Sequence, residues 1–111
     1  TQNVDDISNK IKNLANKAQN KKLTKAELQG ASFTISSLGQ IGGVGFTPII
    51  NPPEVGIIGV SRSCKRLALD NEKIVEKITL PISLSYDHRV INGADAGNFM
   101  TYLKNYLEKN T

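Results

Sequence analysis

The segment that most constrains this fold is a continuous apolar run, VGIIGVS, at residues 55–61. An apolar run of this length without charged residues is typical of a strand that is buried on both faces. Such a strand lies inside a sheet and requires a covering layer on each side. Because helical patterns precede and follow the run in the sequence, we predict an α/β or α+β fold in which helices cover the sheet.

Two helices are predicted, one near each end of the chain. Over about residues 4–19, apolar residues recur at helical spacing opposite lysines and asparagines, which indicates an amphipathic helix. Thr24 and Glu27 have the spacing of a capping box, so a short helical turn should begin there and stop at Gly30. The second helix should run from about residue 93 to 108. Its candidate inward positions are Ala94, Phe99, Leu103, Tyr106 and Leu107.

Three further segments are predicted to contain strands. Residues 32–36 are rich in β-branched and aromatic side chains, and residues 67–75 should contain a turn at Asp70-Asn71. Residues 77–86 alternate in character and should form one long strand. Pro81 lies within it and lacks a backbone donor, which favours a sheet edge or a bulge at that point.

The glycine-rich segment at residues 39–45 raises the question of a nucleotide-binding loop. Gly43 and Gly45 are not followed by a third glycine at the required spacing, and Pro48 lies where a helix would have to begin. No Gly-Lys-Ser/Thr sequence follows either. We interpret the segment as a loop whose glycines allow positive φ angles or close backbone packing.

The composition argues against several functional classes. The chain has 111 residues, a net charge of +4, three Phe, three Tyr and no Trp, which are too few aromatic residues for a nucleic-acid stacking platform. No apolar run approaches the ~20 residues that span a bilayer, and the first residues lack an export-signal pattern. The single cysteine, Cys64, excludes an internal disulfide, and one cysteine with one histidine argues against a zinc site. We expect no metal, nucleic-acid or membrane partner.

His88 is the only histidine in the chain, and it lies between an apolar strand and a predicted helix. Catalytic groups are often presented at such strand ends. Asp87 and Arg89 flank it, but alternate residues of a strand point to opposite faces, so Asp87 need not be its partner. Asn92 can cap the following helix or turn back onto the imidazole. An unperturbed imidazole titrates near pH ~6.5, which suits it to remove a proton from a thiol of pKa ~8.5.

No nucleophile elbow accompanies this histidine, because the chain contains no Gly-x-Ser-x-Gly sequence. A serine can instead donate a hydrogen bond to an oxyanion, which requires only suitable placement. A lone histidine is also commonly structural, so these patterns by themselves leave both roles open for His88.

Two blocks of the sequence resemble one known family. DHRVINGAD at residues 87–95 is similar to the D-H-R-x-x-[D/N]-G-A signature of the dihydrolipoamide acyltransferases, the core components of 2-oxo acid dehydrogenase complexes. FTISSLG at 33–39, FTPIINPP at 46–53 and IIGV at 57–60 resemble a second block of that family, in the same order. The resemblance covers nearly the whole chain and is greatest to the acetyl-transferring, pyruvate-type branch.

The resemblance implies an α/β sandwich like that of chloramphenicol acetyltransferase, with a mixed sheet covered by helices. Residues 1–111 would be the C-terminal portion of the catalytic domain. The family forms homotrimers that build a 24-mer or 60-mer core, and it acts with pyruvate dehydrogenase and dihydrolipoamide dehydrogenase components through domains outside this segment. A cytoplasmic location is expected in a bacterium, and the mitochondrial matrix in a eukaryote.

The resemblance also implies roles for three residues. The family's active site lies between subunits, in a channel that coenzyme A enters from one end and the lipoyl group of a separate domain from the other. The family's histidine corresponds to His88, as general base on the attacking thiol, and its serine to Ser36, as hydrogen-bond donor to the oxyanion. The D/N position corresponds to Asn92, which would support the site. Many relatives have Asp there, so Asn92 orients neighbouring groups without adding a negative charge.

Three functional hypotheses follow. The first is transfer of an acetyl group between dihydrolipoyl-lysine and coenzyme A in the pyruvate dehydrogenase complex. The second is a structural segment that builds the trimeric core and is inactive alone. The third is a serine hydrolase that uses Ser36, Asp87 and His88, and it predicts an acylated Ser36 and hydrolysis without coenzyme A. We favour the first, because thioester transfer needs one neutral imidazole and one hydroxyl donor and no covalent enzyme intermediate.

Overall fold

The computed structural model describes residues 2–39, 41 and 43–110, and the chain divides into two units, residues 1–31 and 32–111. Helices and strands are both present, so the α/β prediction is confirmed at the level of a mixed fold. In chain order the elements are α1 (Val4–Gln19), β1 (Thr34–Ser37), β2 (Gly56–Val60), β3 (Cys64–Asp70), β4 (Lys73–Thr79), β5 (Ile82–Tyr86) and α2 (Gly93–Lys109).

The first unit contains α1, which has the bounds that the helical periodicity predicts. Asn3 caps this helix, since its side chain accepts a hydrogen bond from the amide of Asp6 at 2.8 Å. Thr24 and Glu27 form the expected capping box, with reciprocal hydrogen bonds of 2.9 and 3.3 Å. Glu27 also pairs with Lys17 at 2.7 Å, so the turn that follows α1 is tied to its last turn.

A mixed three-stranded sheet with the order β1-β2-β5 forms the centre of the second unit. β2 is parallel to β1 and antiparallel to β5. Ile57 and Ile58 point to opposite faces of β2, yet they are only 5% and 6% exposed. The predicted burial of this strand on both faces is therefore confirmed.

Different parts of the chain cover the two faces of this sheet. Gly56 and Gly59 lie three positions apart in β2 and therefore face opposite sides. A Cβ atom at Gly59 would lie 2.7 Å from the ring of Phe46, so the loop between β1 and β2 packs against this side, the loop face. A Cβ atom at Gly56 would lie 2.8 Å from the ring of Phe33. Phe33 also contacts Phe99 of α2, with 6.1 Å between ring centroids, and we call this side the helix face.

β3 and β4 form a separate two-stranded hairpin. Asn71 and Glu72 connect the strands with positive φ angles of 50° and 66°, within one residue of the predicted turn. Cys64 is half-buried in β3, as expected for a small side chain, and it lies 3.3 Å from the hydroxyl of Thr79 on the facing strand.

The prediction of one long strand over residues 77–86 is wrong. β4 ends at Thr79 and pairs with β3, whereas β5 begins at Ile82 and pairs with β2. Pro81 lies between them and has no amide to continue a ladder, and its carbonyl accepts a hydrogen bond from the amide of Ser61 at 3.0 Å. The proline therefore marks the point where the chain leaves one sheet for the other.

α2 begins directly after Asn92, which is the predicted N-cap. The buried and half-buried side chains of α2 follow one stripe of helical spacing and are Ala96, Met100, Leu103 and Leu107. The prediction of Ala94 and Tyr106 as inward positions is wrong, because they lie outside this stripe and are exposed. Phe99 is 43% exposed and still contacts Phe33. Among the described residues, neither helix has the length and apolar content that crossing a membrane requires.

Candidate active site

His88 lies in a bend that follows β5 and leads into α2. The carbonyl of Asp87 accepts hydrogen bonds from the amides of Val90 and Ile91, both at 3.0 Å. These bonds close a turn directly after the strand and leave His88 exposed. We call residues 87–92 the His88 bend. Its geometry matches the prediction of an imidazole presented at a strand end.

The carboxylate of Asp87 is bound by Arg89 and not by the histidine between them. The amide of Arg89 donates to Asp87 Oδ1 at 3.0 Å, and its guanidinium donates to Oδ1 from Nε at 2.9 Å and to Oδ2 from Nη2 at 2.7 Å. These side-chain and backbone hydrogen bonds lower the pKa of Asp87 to about 2. The expectation that Asp87 need not be the partner of His88 agrees with this geometry, which gives the hydrolase hypothesis no support.

The imidazole of His88 has an aromatic neighbour, Tyr86, at the end of the preceding strand. The ring centroids of Tyr86 and His88 are 5.5 Å apart, with an angle of 44° between the ring planes. The Tyr86 hydroxyl lies 3.8 Å from the position that a Cβ atom on Gly93 would take, so the tyrosine fills the space between the bend and the start of α2. In the part of the chain that the structure describes, no cluster of His, Cys, Asp and Glu could hold a metal ion.

Asn92 caps α2 and does not turn back onto His88. Its backbone is extended, with φ −84° and ψ 164°, and its Oδ1 accepts a hydrogen bond from the amide of Asp95 at 2.8 Å. Its carbonyl accepts from the amide of Ala96 at 3.1 Å. Of the two roles predicted for this residue, the structure shows the cap, because the free amides at a helix start bind the side-chain oxygen.

Ser36 lies far from His88 within one chain. The strand register aligns Ser36 with Gly59 and Gly59 with Ser83, and His88 follows Ser83 by five residues. Two strand spacings separate β1 from β5. The Cα atoms of Ser36 and Tyr86 are therefore roughly 10 Å apart across the sheet and about 10 Å apart along it. His88 follows Tyr86 by two residues.

Ser36 and the tyrosine that packs against His88 belong to opposite faces of the sheet. Ser36 is aligned with Gly59 and therefore lies on the loop face, where it is half-buried. Tyr86, which packs against His88, is aligned with Gly56 on the helix face. Within one chain, Ser36 and the Tyr86–His88 pair therefore lie two strands apart and toward opposite ends of the sheet.

Sequence reasoning missed the roles of Tyr86 and Arg89. The sequence marks Arg89 only as a charge beside His88, because the rule of alternating strand faces does not describe a segment in which the strand has already ended. The available signal was an Asp and an Arg two positions apart at a predicted strand end, since a turn brings such side chains together.

Comparison with known proteins identifies the family of this chain. The family model for the 2-oxoacid dehydrogenases acyltransferase (catalytic domain) matches residues 1–111. The chain belongs to this family. It is 56% identical over 94 residues to the dihydrolipoyllysine-residue acetyltransferase component of pyruvate dehydrogenase complex from Pseudomonas aeruginosa, a match that covers 85% of this chain and 17% of the relative.

Solved structures of acyltransferases agree with the fold. The cubic core of the pyruvate dehydrogenase multienzyme complex matches with a TM-score of 0.92 and 48% identity, over 96% of this chain and 44% of the solved chain. Dihydrolipoamide acetyltransferase from Azotobacter vinelandii matches with a TM-score of 0.92 and 47% identity, over the same shares of the two chains. The chain therefore spans under half the length of the solved chains that it matches.

The Azotobacter structure concerns the role of a serine, a histidine and an asparagine in the catalytic mechanism of that acetyltransferase. In that enzyme the serine precedes the histidine by 52 positions, and the asparagine follows the histidine by four. Ser36, His88 and Asn92 have the same two separations in this chain. The three residues chosen from the sequence thus have the spacing of the three that were studied in the relative.

Proposed function

We propose that this chain is the C-terminal portion of an acyltransferase catalytic domain that transfers an acetyl group between dihydrolipoyl-lysine and coenzyme A. The observation that carries the proposal is the His88 bend, which presents an exposed imidazole to which Ser36 and Asn92 are related by the spacing found in the Azotobacter enzyme. The sandwich fold of chloramphenicol acetyltransferase is part of the proposal, and the mixed sheet supports it.

The proposed chemistry needs one base and one hydrogen-bond donor. The imidazole of His88 takes the proton of the coenzyme A thiol, and the sulfur attacks the carbonyl carbon of the acetyl thioester on the lipoyl arm. The hydroxyl of Ser36 donates a hydrogen bond to the oxyanion that forms on the carbonyl oxygen. When the intermediate collapses, the bond to the lipoyl sulfur breaks, and that sulfur receives the proton from the imidazolium.

The separation of Ser36 from His88 supports an active site that lies between subunits. Because one chain places Ser36 and the Tyr86–His88 pair two strands apart and toward opposite ends of the sheet, we infer that a shared carbonyl combines His88 from one copy with Ser36 from another. We infer a homotrimer with three equivalent sites, each at an interface. Its assembly into a cubic core is supported by the likeness to the cubic core of the pyruvate dehydrogenase multienzyme complex.

The remaining parts of the proposal concern partners and place. Coenzyme A and a lipoyl group on a separate domain would be the two thiol carriers, and no metal takes part. The pyruvate dehydrogenase and dihydrolipoamide dehydrogenase components would bind through other domains of the full-length protein. The location would be the cytoplasm in a bacterium and the mitochondrial matrix in a eukaryote.

A complementation experiment tests the shared site. We would co-express the full-length protein as His88→Ala and Ser36→Ala subunits with different tags, purify mixed assemblies through both tags, and verify by chemical cross-linking that single trimers contain both variants. In a cyclic hybrid trimer, one of the three interfaces combines an intact His88 with an intact Ser36. We expect acetyl transfer from S-acetyldihydrolipoamide to coenzyme A to exceed that of either parent variant. Hybrids as inactive as their parents would contradict a site between subunits.

A second candidate function is the structural one, in which this segment alone builds core contacts and does not catalyse transfer. The distance between Ser36 and His88 and the 44% coverage of the solved chains both favour it for the isolated segment. The isolated 111-residue chain should then show no acetyl transfer under conditions where the full-length protein is active. An active isolated chain would contradict this role.

A further inference from the structure

Asp87 connects the His88 bend to the rest of the sheet through each of its polar groups. Its amide donates to the carbonyl of Val55 at 2.8 Å, directly before β2. Its carbonyl accepts the two amides that close the turn. Its carboxylate accepts three hydrogen bonds from Arg89. His88 therefore lies between two residues that are hydrogen-bonded to each other, and this contact restricts the backbone conformation of His88.

We propose that Asp87 and Arg89 form a positioning pair that fixes the His88 bend and thereby the imidazole, an inference that rests on the proposed function. The pair would not touch the thiols or the thioester. Its effect would come from holding the imidazole at the distance and angle that proton transfer from a thiol requires. A misplacement of about 1 Å at such a position can lower a rate by ~10²-fold.

The geometry of the pair favours positioning over a contribution to stability. The side chain of Arg89 is 89% exposed, whereas that of Asp87 is 19% exposed. Exposed ion pairs contribute little to the free energy of unfolding, but a guanidinium that binds both oxygens of a carboxylate restricts its orientation strongly. The low pKa of Asp87, about 2, keeps the carboxylate charged throughout the neutral range.

A second ion pair in the same unit provides a contrast. Lys65 and Glu76 form a diagonal ion pair of 3.4 Å across the β3–β4 hairpin, and both side chains are more than half exposed. A Lys ammonium makes a point contact and lacks the planar fork of an arginine. Glu76→Gln removes an exposed ion pair of the same unit without affecting the His88 bend, so it serves as the control.

Steady-state kinetics of the full-length protein test the pair. We would measure kcat and both thiol-substrate KM values for Asp87→Ala, Asp87→Asn, Arg89→Gln and Arg89→Lys. Asp87→Ala should lower kcat by up to ~10²-fold with KM nearly unchanged, since the imidazole is misplaced while the substrates still bind. Arg89→Gln should lower kcat by about tenfold. Asp87→Asn and Arg89→Lys should recover part of the loss, because each keeps part of the contact.

The double variant Asp87→Ala/Arg89→Gln sharpens the test. If the residues act as a unit, its kcat should be no lower than that of Asp87→Ala alone. Thermal unfolding should show all variants folded, and Arg89 is exposed enough that its substitution leaves the fold intact. Glu76→Gln should retain the kcat of the parent protein.

The outcomes separate this inference from the proposed function. An active parent protein and an inactive His88→Ala variant, together with Arg89→Gln and Asp87→Asn at the parent kcat, would overturn the positioning pair alone. A rise in the KM for coenzyme A at constant kcat would also overturn it, since Arg89 would then bind substrate. A parent protein without transfer activity would instead refute the proposed function.

Discussion

The turn of the His88 bend is closed by hydrogen bonds between residues two to four positions apart, and the Asp87 amide ties it to Val55, whereas Ser36 is aligned with a residue 23 positions away. The bend contains its own acceptors, because Asp87 and Asn92 each bind amides that follow them closely. Ser36 has a defined place only when β1 has paired with β2. Substitutions in the bend should therefore act locally on the base, and the position of the serine should depend on the assembled sheet and on a second subunit.

The largest expected effect is the loss of the base. His88→Ala in the full-length protein should lower kcat for acetyl transfer by about 10²–10⁴-fold, the usual contribution of a general base. Steady-state assays with S-acetyldihydrolipoamide and coenzyme A measure it. Val90→Ala is the matched control, because this residue lies in the same bend with its side chain 67% exposed. If the His88→Ala variant transferred acetyl at the parent rate, the role of His88 as general base would be refuted.

The serine should have the next largest effect. Ser36→Ala should lower kcat by about 10²–10³-fold with little change in the KM of either thiol, because the hydroxyl acts on the oxyanion and not on the bound substrate. Ser37→Ala is the control, since the next residue of β1 points to the other face and is exposed. A change confined to KM would show that Ser36 contributes to binding.

Loss of the Asn92 cap should have a smaller effect, and comparison with a second helix cap separates its effect on stability from its effect on acetyl transfer. Asn92→Ala should lower the free energy of unfolding by about 1 kcal/mol, because the first turn of α2 loses its cap. It should also lower the rate of acetyl transfer, because that turn directly follows the His88 bend. Asn3→Ala removes a cap of the same 2.8 Å geometry from α1 and should leave transfer unchanged. Denaturant unfolding and transfer assays on both variants measure the difference. Equal losses of transfer would refute a special role for the Asn92 cap.

The smallest expected effect is a loss of protein stability at low pH. The folded-state pKa of Asp87, about 2, lies below its ordinary value of ~3.9, so the stabilisation from the Asp87–Arg89 pair is complete above pH ~4. It is lost as the pH falls from about 4 to 2. The difference in stability between the parent protein and Arg89→Gln should shrink across that range and stay constant from pH 5 to 8. A difference that varies near neutrality would point to another group.

The sequence by itself determined the features that depend on neighbouring residues. The capping box of Thr24 and Glu27 and the Asn92 cap follow from hydrogen bonds three positions apart, and the bounds of α1 follow from the helical spacing of its apolar residues. The burial of β2 follows from its uninterrupted apolar composition. His88, Ser36 and Asn92 were identified from the sequence and the resemblance, and the Azotobacter acetyltransferase has the same spacing of a serine, a histidine and an asparagine.

Only the tertiary structure decided the features that depend on distant partners. Residues 77–86 alternate like one strand, but β4 and β5 pair with different strands, and local alternation does not specify which partner a segment takes. The stripe of α2 that is buried depends on the sheet beneath it, so Ala94 and Tyr106 were misassigned. The wide separation of Ser36 from His88 is set by the register of three strands, because strand pairing transmits position across the chain while sequence spacing does not.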